Sequence, residues 1–168
     1  MELYSTLREE WGLEPLPHYE EPPFTPTSRP DLAEKYPLIL STGRRSPVFF
    51  LSEHRNIPWL REIDPDPVLE IHPDTAASLN ISNGEWVWVE YWLGKCKLKA
   101  KVTPIVPRWM VMAAAGWWFP EKSGAEPSLY GIWEHSINQL MPMGSQGKDG
   151  LGAPTKQLMC KVYKIVEG

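Results

Sequence analysis

Tyr36-Pro37-Leu38-Ile39-Leu40-Ser41-Thr42-Gly43-Arg44-Arg45 opens a pattern that runs through His54-Arg55-Asn56 and ends at Gly116-Trp117-Trp118-Phe119-Pro120-Glu121. Its first part is a short apolar strand, 38–41, leading into a Thr-Gly turn that delivers two guanidinium groups. Such an arrangement suits phosphate or the edge of a purine. Arginine offers a rigid planar fork of donors, and the backbone N–H groups of a glycine turn can come close to an anion.

Outward from that turn the signals are β. Residues 68–71 form a second apolar strand, and Pro73-Asp74-Thr75-Ala76-Ala77-Ser78-Leu79 then has the character of a short helix. Pro73 suits the first helical position and Asp74 the positive end of the helix. Asn80 to Gly84 is a turn, and 86–92 is a strand apolar on both faces, expected to be central or wrapped into a barrel. Leu93-Gly94 is a hairpin tip. The return strand alternates cleanly, with Lys95, Lys97, Lys99 and Lys101 on one face and Cys96, Leu98, Ala100 and Val102 on the other. The lysine face is expected to be solvated. Further strands are expected at 109–115 and 158–166, and 123–158 reads mostly as loop. Six or so short strands with one or two short helices are satisfied by a barrel or by a sandwich.

The proline-rich segment 1–35 differs in kind. Pro15, Pro17, Pro22, Pro23, Pro26 and Pro30 lack amide donors and favour extended backbone, so the segment reads as an arm ordered by some other surface, with a short helix near 3–11. The remainder, 36–168, is one domain. A net charge of -4 argues against a general nucleic-acid binder. Nine Trp is a high count, which suits pockets and interfaces as well as a β-core. Cys96 and Cys160 are too few and too far apart in sequence for an iron–sulfur or zinc site, and both fall at inward strand positions as small hydrophobes. No stretch is apolar enough to span a bilayer, and the first ten residues carry no signal-peptide core. A cytoplasmic location is compatible with this; for a longer parent protein the location is unknown.

Taken with Leu60-Arg61-Glu62, Ile71-His72-Pro73, Ile81-x-x-Gly84, Ile137-Asn138-x-Leu140 and Gly152-x-Pro154-x-Lys156, the opening pattern resembles the C-terminal cofactor-binding domain of the molybdopterin oxidoreductases, the dimethyl sulfoxide reductase and formate dehydrogenase superfamily. The resemblance covers about 36–164 and implies a mainly β fold, the double-psi β-barrel of the aspartate-decarboxylase-like kind. It implies molybdopterin guanine dinucleotide as cofactor, with molybdenum or tungsten held by the complete enzyme. By the same resemblance Thr42, Gly43 and Arg44 form the turn facing the cofactor, with Arg45 assisting at phosphate. His54 lines the same cleft, Asn138 meets the pterin, Lys156 makes a polar contact and Trp117 shields a wall. Each has a plainer counterpart: a surface ion pair for Arg44, a structural histidine for His54, a turn-capping amide for Asn138, a solvated lysine for Lys156, interface packing for Trp117.

Nothing in the chain corresponds to the family's metal-ligating residue or its N-terminal cysteine cluster. The expectation is therefore a cofactor-holding portion of an oxidoreductase, partnered by the remaining domains or subunits and not catalytic alone. The Gly-Trp-Trp-x-Pro-Glu run looks closest to formate-dehydrogenase-like anaerobic members. Two other readings share the barrel. A pyruvoyl-dependent decarboxylase would need a self-cleaving Gly-Ser bond, for which Gly144-Ser145 is the sole dipeptide. A partner-binding double-psi module without cofactor would leave the Thr-Gly-Arg and Gly-Trp-Trp segments without a role.

Overall fold

The computed structural model describes residues 3–16, 18–142 and 156–166. Gly144-Ser145, Gly152 and Pro154 lie outside the described residues. Six strands close into a barrel: β1 (Leu38–Ser41), β2 (Val68–Ile71), β3 (Trp86–Tyr91), β4 (Gly94–Val102), β5 (Met110–Ala113) and β6 (Leu158–Lys164), in the spatial order β1-β5-β2-β4-β3-β6. Two neighbouring pairs, β1 with β5 and β2 with β4, are parallel; the other contacts are antiparallel. Parallel neighbours demand long crossovers, and these carry the chain over the ends of the barrel. This is the interlocked barrel expected of a double-psi fold, not a sandwich.

Alternation fills the interior. Leu40, Leu69, Ile71, Val87, Val89, Cys96, Leu98, Val111, Leu158 and Cys160 are buried in a single core cluster. Burial pushes the Cys96 thiol up to about 12 and the Cys160 thiol higher still, so both remain protonated, unreactive core residues.

β3 departs from the expectation of two apolar faces. Val87, Val89 and Tyr91 point inward, while Trp86 and Trp88 are only half-covered. What covers them is the lysine face of β4. Lys95 Nζ sits 4.3 Å from the Trp88 ring centroid and Lys97 Nζ 5.5 Å from that of Trp86. The face is therefore less solvated than expected: lysine stems lie over indoles, and Lys99 pairs with Asp66 at 2.7 Å.

The helix expected after β2 forms at Pro73–Ser78 and is capped by His72, whose Nδ1 accepts from the Asp74 N–H at 3.1 Å. In chain order the helices are α1 (Thr6–Glu10), α2 (Pro30–Lys35), α3 (Pro58–Ile63), α4 (Pro73–Ser78) and α5 (Ile132–His135). The stretch after 123 is less loop-like than its composition suggests. Between 129 and 140, α5 and the 3-10 turns Leu129–Gly131 and Ile137–Leu140 bury Ile137, Leu140 and His135.

The proline-rich segment is not uniformly an arm. Its second half packs on the barrel: Leu32 of α2 joins the core, and Phe24 stacks near Trp92 at 6.4 Å. Its first half buries nothing in α1 and leaves Leu3, Leu7 and Trp11 exposed. Amide exchange should separate the halves, with strong protection at Ala33 and Tyr36, whose hydrogen bonds flank the core residue Leu32, and much faster exchange over 3–16, whose hydrogen bonds close a helix that buries nothing. Equal protection of both would show that the first half has a surface of its own on this chain.

Candidate functional site

β1 and β5 lie side by side and parallel, and both chains leave the barrel at the same end. Thr42 and Gly43 follow β1, Ala114 and Ala115 follow β5, and Gly43 bridges Ala114. From there the segment 44–64 and the segment 116–141 diverge and fold over the barrel's end, leaving hollows between them.

Gly43 sits in a tight place. A Cβ there would meet Ser41 Oγ at 3.1 Å and Met112 Cε at 3.4 Å. Gly116 is constrained more severely, with φ +70° and a would-be Cβ at 3.2 Å from that of Ser52. Its two polar atoms tie the site together: the N–H donates to Asn138 Oδ1 at 2.9 Å, and the carbonyl accepts from Arg55 Nε at 3.4 Å.

Three adjoining hollows result. The first, about 450 Å³, is lined by Thr42, Arg44, Arg45, His54 and Arg55 among others. The second, about 380 Å³, shares Thr42 and Arg45 with it and adds Asn138 and Lys156. The third, about 500 Å³, shares Asn138 and adds Trp117 and Trp133. The residues singled out in the sequence thus gather at one end of the barrel, although Thr42 and Lys156 are far apart in the chain. Lys156 Nζ donates to Thr42 Oγ1 at 3.1 Å and to its carbonyl at 3.3 Å.

Their individual settings differ from the sequence expectation in two cases. The Arg44 guanidinium is buried and closed upon Asp64, with Nη1 and Nη2 donating to the two carboxylate oxygens at 3.2 and 3.0 Å, and Glu70 stands 3.7 Å from Nε. Neither an open phosphate grip nor a surface ion pair describes it; it braces the cavity wall. Trp117 is fully buried, its ring 6.2 Å from Phe49 and 6.0 Å from Phe119, so it is the centre of a second small core beneath the cleft. Arg45, by contrast, is exposed and has no ion pair among the described residues. His54 is exposed with φ +66°, and Leu51 in the same loop has φ +51°. Left-handed backbone at such residues costs about 1 kcal/mol or more and persists where surrounding contacts hold it.

Sequence reasoning passed over Arg55, Asp64 and Glu70. Arg55 lies inside a quoted motif, but its partners are Leu51, Gly116 and Trp117, and no local pattern announces a contact across so many residues. Asp64 follows the mixed run Leu60-Arg61-Glu62-Ile63, and Glu70 sits inside a strand read as apolar; neither setting has a periodic signature for a buried carboxylate.

The sequence matches the molydopterin dinucleotide binding domain family over residues 38–151, and the chain belongs to that family. It is 44% identical over 168 residues to acetylene hydratase of Syntrophotalea acetylenica, covering 98% of this chain and 23% of that protein. It is 37% identical over 171 residues to dopamine dehydroxylase of Eggerthella lenta, covering 97% of this chain and 16% of that protein. Among solved structures, acetylene hydratase from Pelobacter acetylenicus superposes with a TM-score of 0.86 at 36% identity, over 97% of this chain and 23% of that one. The chain therefore spans between about a sixth and a quarter of the length of these relatives.

Its donor set fits the family's cofactor, molybdopterin guanine dinucleotide. Arg45 and Lys156 are cationic, and Asn138, whose Oδ1 accepts from the Gly116 N–H, carries two further donors on its amide nitrogen. Thr42 Oγ1 accepts from Lys156 and retains its own proton to donate.

Proposed function

We propose that this chain is the cofactor-holding portion of a larger molybdenum or tungsten oxidoreductase, and that it does not catalyse alone. The observation that carries this is the Lys156–Thr42 contact beside Asn138. It joins the two ends of the barrel domain around one polar cleft. In this assignment Arg45 and Lys156 balance the negative charge of a dinucleotide, Asn138 and Thr42 orient it, and His54 bounds the outer wall. Arg44 acts indirectly, by fixing the wall through Asp64. When bound, the cofactor would supply the metal and its electron-transfer chemistry, while these residues bind and orient it and limit water.

The relatives' names support a division of labour. One is a hydratase and another a dehydroxylase, yet both share this portion. A part common to different reactions is better suited to holding the cofactor than to choosing the substrate. The remaining domains or subunits would cover the cleft, and the exposed apolar side chains of Leu3, Leu7 and Trp11 would lie against them.

Titration of the chain with guanosine 5′-monophosphate tests the assignment. Saturable binding is expected, weakened about tenfold by Arg45→Ala or Asn138→Ala, the loss of one charge-assisted or well-oriented hydrogen bond. Lys95→Ala, on the outer wall of β4, should leave affinity unchanged. A folded chain that shows no binding at millimolar nucleotide would remove the assignment.

A further inference from the structure

Three arginines line the first cavity, and their electrostatic settings are unlike one another. Arg44 is neutralised by Asp64 and Glu70. Arg45 is solvated. Arg55 is neither: it is fully buried, and no carboxylate is in contact with it among the described residues. Its guanidinium carbon lies 3.9 Å from the Trp117 ring centroid and 4.7 Å from that of Phe49. Nη2 donates to the Leu51 carbonyl at 2.7 Å and Nε to the Gly116 carbonyl at 3.4 Å. Nη1 is buried and has no hydrogen-bond partner among the described residues.

A buried cation without a counter-ion is costly, and π faces and two carbonyls offset that cost only in part. Desolvation, followed by repulsion from Arg61 and Arg44, draws the Arg55 pKa down to about 10, against some support from Asp64. Arg55 is therefore still charged at neutral pH. A methionine would fill the same space without that cost. The carbonyl of Leu51 that Arg55 holds belongs to the loop carrying Phe50 and His54, so any group bound by Arg55 is coupled to the shape of the wall.

We propose that Arg55 is the buried anchor of an oxyanion site in this cavity, with Nη1 completed by an oxygen of a bound phosphate or carboxylate. Arg45, Ser46 and His54 stand around the same space. The site rests on the cofactor-holding assignment only for the expectation that the oxyanion is a pyrophosphate. A small carboxylate would satisfy the same nitrogen, and the two sources separate experimentally.

The test uses the 168-residue chain labelled with ¹⁵N at arginine, with the Arg55 side-chain Nε–H resonance as readout. Inorganic pyrophosphate, sodium acetate and guanosine 5′-monophosphate are titrated separately at constant ionic strength. Pyrophosphate is expected to shift the Arg55 resonance saturably. Arg55→Met, which keeps the aliphatic fill, should weaken pyrophosphate binding about tenfold, and Arg55→Lys should recover part of it. A shift with acetate alone would keep the oxyanion site and detach it from the cofactor. Nucleotide binding with Arg55 unmoved by every anion would overturn the site and leave the cofactor assignment standing. The wild-type resonance decides the matter even if the methionine variant fails to fold; undiminished pyrophosphate binding by a folded Arg55→Met chain would equally overturn it.

Discussion

Trp117→Ala should destabilise the chain by about 3–5 kcal/mol, the usual cost of deleting a large aromatic side chain from a packed interior. The magnitude follows from full burial of the indole and from what rests on it. Phe49 and Phe119 pack edge-on to its ring, and the Arg55 guanidinium lies over it. Removing the ring leaves a void under a buried charge, which collapse of the neighbours cannot fill without moving the 44–64 segment. For a domain of this size the melting temperature should fall by roughly 2–4 °C per kcal/mol. Trp117→Phe should cost much less, because the indole Nε1 has no hydrogen-bond partner among the described residues to lose and the stacking face is kept. Urea denaturation followed by circular dichroism measures both; a loss below 1 kcal/mol for the alanine variant would mean that this second core does not carry the cap.

A comparable effect is expected at Asp64. Its carboxylate receives both terminal nitrogens of Arg44 at a site where both side chains are less than a tenth exposed. Removing one partner of a buried pair typically costs about 3–5 kcal/mol, since the other charge is left without compensation. Glu70, 3.7 Å from Arg44 Nε, retains part of the interaction, so Asp64→Ala should fall toward the lower end of that range. Pairing Asp64→Ala with Arg44→Met should restore most of the loss, because the stranded charge is removed with its partner. A double-mutant cycle showing additive losses would contradict the coupling.

How much of this was legible beforehand depended on whether the signal was local. The short apolar runs 38–41 and 68–71 and the period-two run 95–102 marked strands that the structure reproduces, and in the last of them inward and outward residues differ in polarity. Trp86 and Trp88 misled, since an indole counts as apolar in sequence yet sits at the surface beneath lysine stems. The single-turn helices after 128 were unreadable because a 3.6-residue period needs several turns to show. The Thr-Gly-Arg turn pointed to the right end of the barrel, but not to the ion pair that occupies Arg44. That pair joins residues twenty apart, and the Arg55–Gly116 contact spans sixty-one.

β6 is hydrogen-bonded to β1 on one side and to β3 on the other, so it is the stave that closes the ring. Without β6 the other five strands would leave two unpaired edges, one at β1 and one at β3. Lys156, immediately before that last stave, reaches Thr42 only once it is in place. A nascent chain halted short of 158 should consequently expose both sheet edges and lack half of its polar cleft. Barrel closure and completion of the cleft thus depend on the same stretch of chain, so that a barrel open at β6 also lacks a finished cofactor cradle.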